Sequence, residues 1–326
     1  MSITVLSPGF LATVQDNGRR GFRGSGVSSG GALDPHALAI ANLVVGNETS
    51  AAGVEITLGG LRVRFSDTRV VAWCGGKFDV RIGDAPLAAG RPVLVRADDV
   101  LTFGHLEIGC RAWLAVSGGV AVPPVLGSRS TDLRAQFGGV DGRALQPGDV
   151  LPLGEHAPRS ERMIEVLERG RAAWLASATW ALPASRNPIL RVMRGGEWLR
   201  FKPEVRTLLL REPYAVTPQA NRMGVRLEGR SLPYDGPELL SEAVAAGAIQ
   251  VPPSGQPIIL LPDCQTIGGY PKLAHVITVD LPLAAQLRSG DQVRFELGRL
   301  AEAHQLLLER ERDLALFRAA LEMLMR

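Results

Sequence analysis

A mainly β protein, β-rich with a minority of helix, is the fold class this sequence predicts. Three observations carry the prediction. The 326 residues include 37 glycines and 22 prolines, so chain reversals are frequent. Apolar residues alternate with polar ones at a period of two through many short runs, the pattern of strands with one buried face. Helix-period stripes are few. Hydrophobic residues make up 46% and charged residues 21%, the balance of a soluble globular protein. The length fits one large domain or two ordinary ones.

Taken in order, Val54, Ile56 and Leu58 alternate with polar neighbours, and so do Leu61, Val63 and Phe65. Gly59-Gly60 between them predicts a hairpin. Phe78, Val80 and Ile82 form the next strand, then Val93 and Val95, then Val100–Phe103 and Ala112–Val116. Asp34-Pro35 opens a helix, with Asp as cap and Pro at the first helical position. Leu38, Ala41 and Val45 give it one apolar stripe, and Gly46 closes it. These elements make residues 1–157 an N-terminal β-rich half. Residues 158–188 mix charge, Ala and Trp without alternation and read as a partly helical connector. A second β-rich half spans 189–297, with a short helix from Asp280-Leu281-Pro282 to Leu287. Residues 298–326 read as an amphipathic helix. Leu300, Leu307, Leu314 and Leu321 recur every seven residues, with Ala303, Phe317 and Leu324 beside them and Arg310 interrupting the stripe. It reads as a separable helix, either packed against the body or paired with another subunit, and the subunit contact is the expected role. "GRPVLV" echoes "GQPIIL" and "PGDVLPL" echoes "SGDQVRF", either as a trace of duplication or because Gly-Asp turns often precede strands.

Composition excludes several classes. The net charge is only +3, and no Lys/Arg run interleaves with aromatics, which argues against nucleic acid. Three cysteines, an odd number without metal spacing, fit a reduced cytoplasmic compartment. No signal peptide or membrane-spanning run is expected. The five histidines show no ligand spacing, so no metal site is expected. There is no P-loop, no nucleophile elbow and no Met-Lys-Met biotin attachment site.

Four stretches carry chemistry. "TVQDNGRRGFRGSGVSSGGALD" (13–34) sets Gln15, Asp16 and Arg19 in a glycine-rich loop. It is either a ligand loop or a surface loop. "GSRSTDLRAQFGG" (127–139) offers Arg129, Ser130 and Thr131, an anion site or a solvated turn. "NRMGVRLEG" (221–229) offers Asn221 and Arg222, and places Arg226 on the face opposite Val225 and Leu227. "QTIGGYPK" (265–272) puts Gln265, Thr266, Gly268, Gly269, Tyr270 and Lys272 between two apolar runs, a load no plain hairpin needs. His275 lies in such a run and reads as a core histidine.

These stretches, with "SPGFLATVQDNGRRGFRGSGVSSGGALDPHALAIANLVVGNETSAAGVEITLGG" and "SEAVAAGAIQVPPSGQPIILLPDCQTIGGYPKLAHVITVDLPLAAQLRSGDQVRF", resemble the blocks of the biotin-dependent carboxyltransferase / allophanate hydrolase subunit 2 family over roughly residues 3 to 297. The family usually shows Thr-Thr-Gly-Gly-Tyr-Pro where this chain has Thr266-Ile267-Gly268-Gly269-Tyr270-Pro271, so one hydroxyl is lost. The resemblance implies a cyclophilin-like β-barrel architecture. Stand-alone bacterial members resemble the C subunit of a 5-oxoprolinase. Their implied partners are the 5-oxoprolinase B subunit, of the allophanate hydrolase subunit 1 type, and an A subunit of the lactam-utilisation type. ATP with Mg is implied for the assembled complex, and biotin only for members that carry out carboxyl transfer, as in urea carboxylase. Some relatives are described instead as regulators that antagonise a kinase inhibitor.

Lactam and ureido substrates share an N–C=O group, whose oxygen a preorganised N–H donor can stabilise by about 3 kcal/mol. On residue chemistry, Gly268, Gly269, Tyr270 and Lys272 are the candidate catalytic residues. Gly268 and Gly269 would supply donors, Tyr270 would stack or donate, Lys272 would neutralise phosphate or carboxylate, and Arg129 or Arg222 would clamp the carboxylate. Gln15, Asp16, Arg19, Arg129, Ser130, Thr131, Asn221, Arg222, Gln265 and Thr266 are the candidate substrate-binding residues.

Overall fold

The computed structural model describes residues 1–170, 174–181 and 186–325. The chain forms two compact units. The first comprises Met1–Arg19, Gly30–Ala184 and Asp313–Arg326, and the second comprises Arg20–Ser29 and Ser185–Arg312. Within the described residues, the expected connector counts with the first unit through Ala181 and with the second from Arg186, and a piece of the first glycine-rich loop also counts with the second.

Among its described residues the first unit holds β1 (Ser2–Pro8), β2 (Leu11–Gln15), β3 (Gly53–Thr57), β4 (Leu61–Phe65), β5 (Arg69–Ile82), β6 (Ala85–Pro86), β7 (Val93–Val95), β8 (Val100–Val116) and β9 (Val150–Pro152), all in one sheet. Its main path runs β2-β3-β8-β4-β1-β9, and β5 joins through β8. The long strand β8 organises it. Its Val100–Thr102 end pairs with β4 and its Arg111–Leu114 end with β3, while β5 pairs along most of its length through bulges near Gly75 and Phe78. The inward residues of each alternation, among them Val54, Ile56, Val63, Phe65, Trp73 and Phe103, are buried. Each such side chain contributes on the order of 1.5–3 kcal/mol.

The expected Gly59-Gly60 hairpin is not one. β3 and β4 do not pair with each other; each pairs with a different end of β8. Leu58, Gly59 and Gly60 all have positive φ, and Leu58 N–H donates to Cys110 O while Gly60 N–H donates to Phe103 O. The chain therefore steps across the bent strand instead of folding back. A Cβ on Gly60 would lie 2.8 Å from Gly9 Cα, so only glycine fits this crossing.

Helix α1 (Pro35–Val44) begins as expected, with Asp34 Oδ1 accepting from Ala37 N–H at 2.9 Å. Its burial departs from the single stripe, since Ala37 through Val44 are all buried. One side packs on β5 and β8. At its end, Ser160 of α2 (Pro158–Glu168) donates to Val45 O at 2.9 Å and Trp174 Nε1 donates to Val44 O at 2.9 Å. The described part of the connector, which includes α3 (Ala178–Ala181), is thus a partly helical cover for α1.

The second unit is a closed barrel. Its strands are β10 (Ile189–Arg194), β11 (Tyr214–Val216), β12 (Gly224–Glu228), β14 (Ala248–Gln250), β15 (Ile258–Leu260), β17 (Lys272–Val276) and β18 (Gln292–Leu297), and two short strands, β13 (Glu242–Ala243) and β16 (Ile267–Gly268), pair outside it. Around the barrel the order is β10-β17-β14-β15-β12-β11-β18, closed by the parallel pair β10/β18. Closure leaves no barrel edge exposed. Val192, Val225, Leu227, Ile249, Ile259 and Phe295 are buried. Helix α4 (Pro203–Arg211) packs near β18, and α5 (Leu281–Ala285) follows a 3-10 turn at Thr278–Asp280. Asp280 does not cap α5. Its carboxylate instead accepts from the Arg191 guanidinium at 2.6 and 3.0 Å.

The C-terminal helix α6 runs from Leu300 to Leu324. Leu307, Leu314 and Phe317 are half-buried and Leu321 is fully buried, while Leu308, Leu316 and Met323 face outward. The expected stripe is present, except that Leu300 and Leu324 lie exposed.

Candidate functional site

The candidate residues fall into two groups, one in each unit. In the first unit, Asp16 clasps the 127–131 loop. Its carboxylate accepts from Ser128 Oγ at 2.5 Å, Ser130 Oγ at 2.6 Å, Arg129 N–H at 2.6 Å and Gly18 N–H at 2.8 Å. Gln15 Nε2 donates to Thr131 O at 3.2 Å, and Thr131 Oγ1 donates to Val14 O at 3.1 Å. Arg19 donates to Val125 O and Ser130 O and lies over the Phe137 ring, 4.5 Å from its centroid. Gln15, Asp16, Arg19, Ser130 and Thr131 are all buried. The structure therefore uses these five expected substrate contacts to lock two loops together, since a carboxylate with four internal donors has little left for a ligand. Arg129 is different. It is half-buried, and its guanidinium has no ion-pair partner among the described residues.

In the second unit, "QTIGGYPK" forms one side of a ribbon. Ile267 and Gly268 pair with Ala243 and Glu242. Arg23, from the Arg20–Ser29 loop, pins the ribbon by donating to Val244 O and to Gln265 O. Lys272 follows the ribbon and is 8% exposed. Its ammonium lies 3.6 Å from Glu197 and in direct contact with Glu242, while its backbone N–H donates to Glu197 at 2.8 Å. The hydrogen bond from Lys272 holds the Glu242 carboxyl below the usual carboxylate range. The expected movable cation is thus an internal tie. Arg222 is likewise committed, with its guanidinium gripping the Asp263 carboxylate at 2.7 and 3.1 Å, so it is not an open carboxylate clamp. Burial pushes the pKa of half-buried His275 down, Lys272 pushes it the same way, and Glu197 opposes them.

Strand period explains what remains. Val225, Leu227, Ile249 and Ile259 are buried in the barrel, so Gly224, Arg226, Gln250, Ile258 and Leu260 face out. The register sets Arg226 opposite Ile258 and Gly224 opposite Leu260. This outer face and the 265–270 segment enclose a cavity of about 140 Å³. Asn221, Gln265 and Tyr270, three of the expected residues, line it, whereas Arg222, Thr266, Gly268, Gly269 and Lys272 do not. Gly268 serves instead as a close approach, since a Cβ there would meet Gln250 Nε2 at 3.0 Å. Gln250 is 1% exposed; it donates to Tyr270 O at 3.4 Å and accepts from Gln265 at 3.5 Å. Arg226 has no side-chain partner among the described residues, and no acidic residue lines the cavity. A cation, several amides and an aromatic ring over an apolar floor suit a small polar ligand.

Arg226 and Gln250 were absent from the expected site residues. The alternation in "NRMGVRLEG" places Arg226 on the outer face and is a sufficient signal for it. Nothing local marks Gln250, whose importance comes from the ribbon folding over it.

A larger cleft of about 590 Å³ in the first unit is lined by Glu48, Arg159, Glu161, Arg318 and Glu322, among others. Its charges neutralise one another. Arg318 pairs with Glu48 and Glu322, and Arg159 with the same two carboxylates. Among the described residues no group of three or more His, Cys, Asp or Glu could hold a metal ion, and no helix is long and apolar enough to cross a membrane.

Comparison with known proteins gives a consistent result. The model of the carboxyltransferase domain, subdomains A and B, matches residues 25–297. The chain is 39% identical over 311 residues to the C subunit of 5-oxoprolinase from Escherichia coli, covering 95% of this chain and 96% of that protein. It is 37% identical to the corresponding protein of Haemophilus influenzae, covering 95% of each. Among solved structures, urea carboxylase of Kluyveromyces lactis superposes with a TM-score of 0.88 at 29% identity. That match covers 97% of this chain and 29% of the larger enzyme.

Proposed function

The chain belongs to the carboxyltransferase-domain family, subdomains A and B, and from that premise we propose that it is the C-type subunit of an ATP-dependent 5-oxoprolinase. The observation that carries this reading is the match to the 5-oxoprolinase C subunit through nearly the whole of both chains. The chain acts with two further subunits, one of B type and one of the lactam-utilisation A type. The net reaction consumes 5-oxoproline, ATP and two waters and gives glutamate, ADP and phosphate. The ring C–N bond breaks, the new carboxylate gains one oxygen, and phosphate released from ATP gains the other.

The cavity supports a division of labour. At about 140 Å³ it is well below the roughly 300–1,000 Å³ of drug-sized sites, and its one lining cation is Arg226. Those dimensions fit a small ring acid and do not fit a nucleoside triphosphate with Mg. ATP therefore binds outside this cavity, and the cavity residues are assigned no part in the phosphoryl step. Carboxyl transfer with biotin is a second reading, favoured by the likeness to urea carboxylase.

Co-expression with the B- and A-type subunits, followed by an assay of glutamate formed from 5-oxoproline and ATP, tests the proposal. Activity is expected in the complete complex and not in the purified chain. A complete complex that makes no glutamate but carboxylates urea from bicarbonate and ATP would overturn it in favour of the second reading.

A further inference from the structure

We propose that the outer-face cavity of the barrel binds small amides that carry a carboxylate, and that Arg226 determines this specificity by taking the carboxylate while the Gln250–Gln265 pair meets the N–C=O group. The choice of 5-oxoproline as probe rests on the function proposed above; the rest follows from the cavity.

Three features converge. Arg226 stands on the cavity wall with no acidic residue among the lining side chains, so its charge is unmatched until an anion arrives. A planar guanidinium suits a carboxylate better than any neutral group, because it can give two parallel hydrogen bonds. The two glutamine amides already lie together, one of them almost fully buried. Their contacts, at 3.4 and 3.5 Å, are near the limit for a hydrogen bond. An amide ligand offers both a donor and an acceptor at shorter range, so these weak contacts are the ones it replaces. Ile258 and Leu260 supply an apolar floor for the carbon skeleton. Urea has no carboxylate and leaves Arg226 unused.

Calorimetric titration with 5-oxoproline, its decarboxylated analogue 2-pyrrolidinone and urea tests the assignment, on the chain alone and in the assembled complex. 5-Oxoproline should bind at least about tenfold more tightly than 2-pyrrolidinone, the value of one charge-assisted contact, and urea more weakly still. Arg226→Ala should remove the difference between the two lactams, and Arg226→Lys should restore part of it. Both variants should melt with the wild type, because Arg226 is exposed and unpartnered among the described residues. Equal binding of the two lactams by the wild type, unaltered 5-oxoproline binding by Arg226→Ala, or no binding by the wild type in either form overturns the proposal. An active complex indifferent to Arg226→Ala sinks this inference and leaves the hydrolase reading intact. A complex that forms no glutamate, yet prefers carboxylated amides through Arg226, does the reverse.

Discussion

Lys272 Nζ lies between the carboxylates of Glu197 and Glu242, and both Lys272 and Glu197 are almost out of water. Removing one member of a buried pair costs about 3–5 kcal/mol, because the other charge is left uncompensated. Glu242 is half exposed and can find water, so the burden falls on Glu197. Lys272→Ala should therefore lower the stability of the isolated chain in urea by about 3 kcal/mol, and an unchanged unfolding midpoint would make Lys272 a free cation after all. Next to it, His275 supplies a pH dependence. Burial and Lys272 depress its folded pKa, and Glu197 only partly opposes them; His156 is depressed by burial and Arg69. The unfolded chain then binds more protons between the folded value and the ordinary one of about 6.5. Stability is full above the ordinary value and falls as pH drops towards the folded one. Urea midpoints should hold above about pH 6.5 and decline as pH drops below it, with a shallower slope in His275→Gln; identical slopes would remove His275 as a cause. None of this could be read locally. The carboxylates that hold Lys272 lie 75 and 30 residues away in the chain, whereas Arg226 obeys the strand alternation around it.

At the level of elements, short-range rules succeeded and pairing rules failed. The Asp34 cap and the Gly-Asp turns are local, and the structure contains both. Gly148 and Gly290 both have φ near +90°, and Asp149 and Asp291 each accept from the backbone N–H three residues before. That shared turn accounts for the echo of "PGDVLPL" in "SGDQVRF" without requiring duplication. The Gly59-Gly60 hairpin failed because pairing there is decided by a bend in β8, far along the chain. The 13–34 loop looked like a ligand loop because buried clasps and binding sites draw on the same polar residues. The two roles separate by experiment. Asp16→Ala strands two hydroxyls and two backbone N–H groups, at about 1–3 kcal/mol for each group that stays buried and unsatisfied. It should lower the thermal midpoint strongly. Arg129→Ala, lacking an ion-pair partner to strand among the described residues, should leave the midpoint nearly unchanged and lower the activity of the assembled complex about tenfold, the worth of one charge-assisted contact. Thermal melts of the two variants side by side check the contrast, and a stable Asp16→Ala protein would mean that the clasp is dispensable.

Across the whole molecule, the β-rich class and a helix after residue 298 were legible from periodicity alone, and the barrel came through the family resemblance. What periodicity could not give was where the helix counts. Residues of α6 up to Arg312 belong with the second unit and those from Asp313 with the first. In the first unit, Leu321 is fully buried, Phe317 meets Trp180 edge-on at 5.8 Å, and Arg318 and Glu322 pair with Glu48 and Arg159. The leucine is worth roughly 1.5–3 kcal/mol and the aromatic contact about 0.5–1.5 kcal/mol. The exposed ion pairs add little. A chain ending at Arg312 should therefore lose about 3 kcal/mol of stability. That differs from a separable tail, whose removal would leave the fold untouched. The outward face, with Leu308, Leu316 and Met323, is where the expected contact with another subunit would lie. Leu308→Ser with Leu316→Ser should spare the unfolding midpoint, since both side chains already face water, and should reduce the mass of the assembled complex by light scattering. An unchanged midpoint in the truncated chain would show that the helix end contributes nothing to the first unit. An unchanged mass in the double variant would deny its outer face any part in assembly.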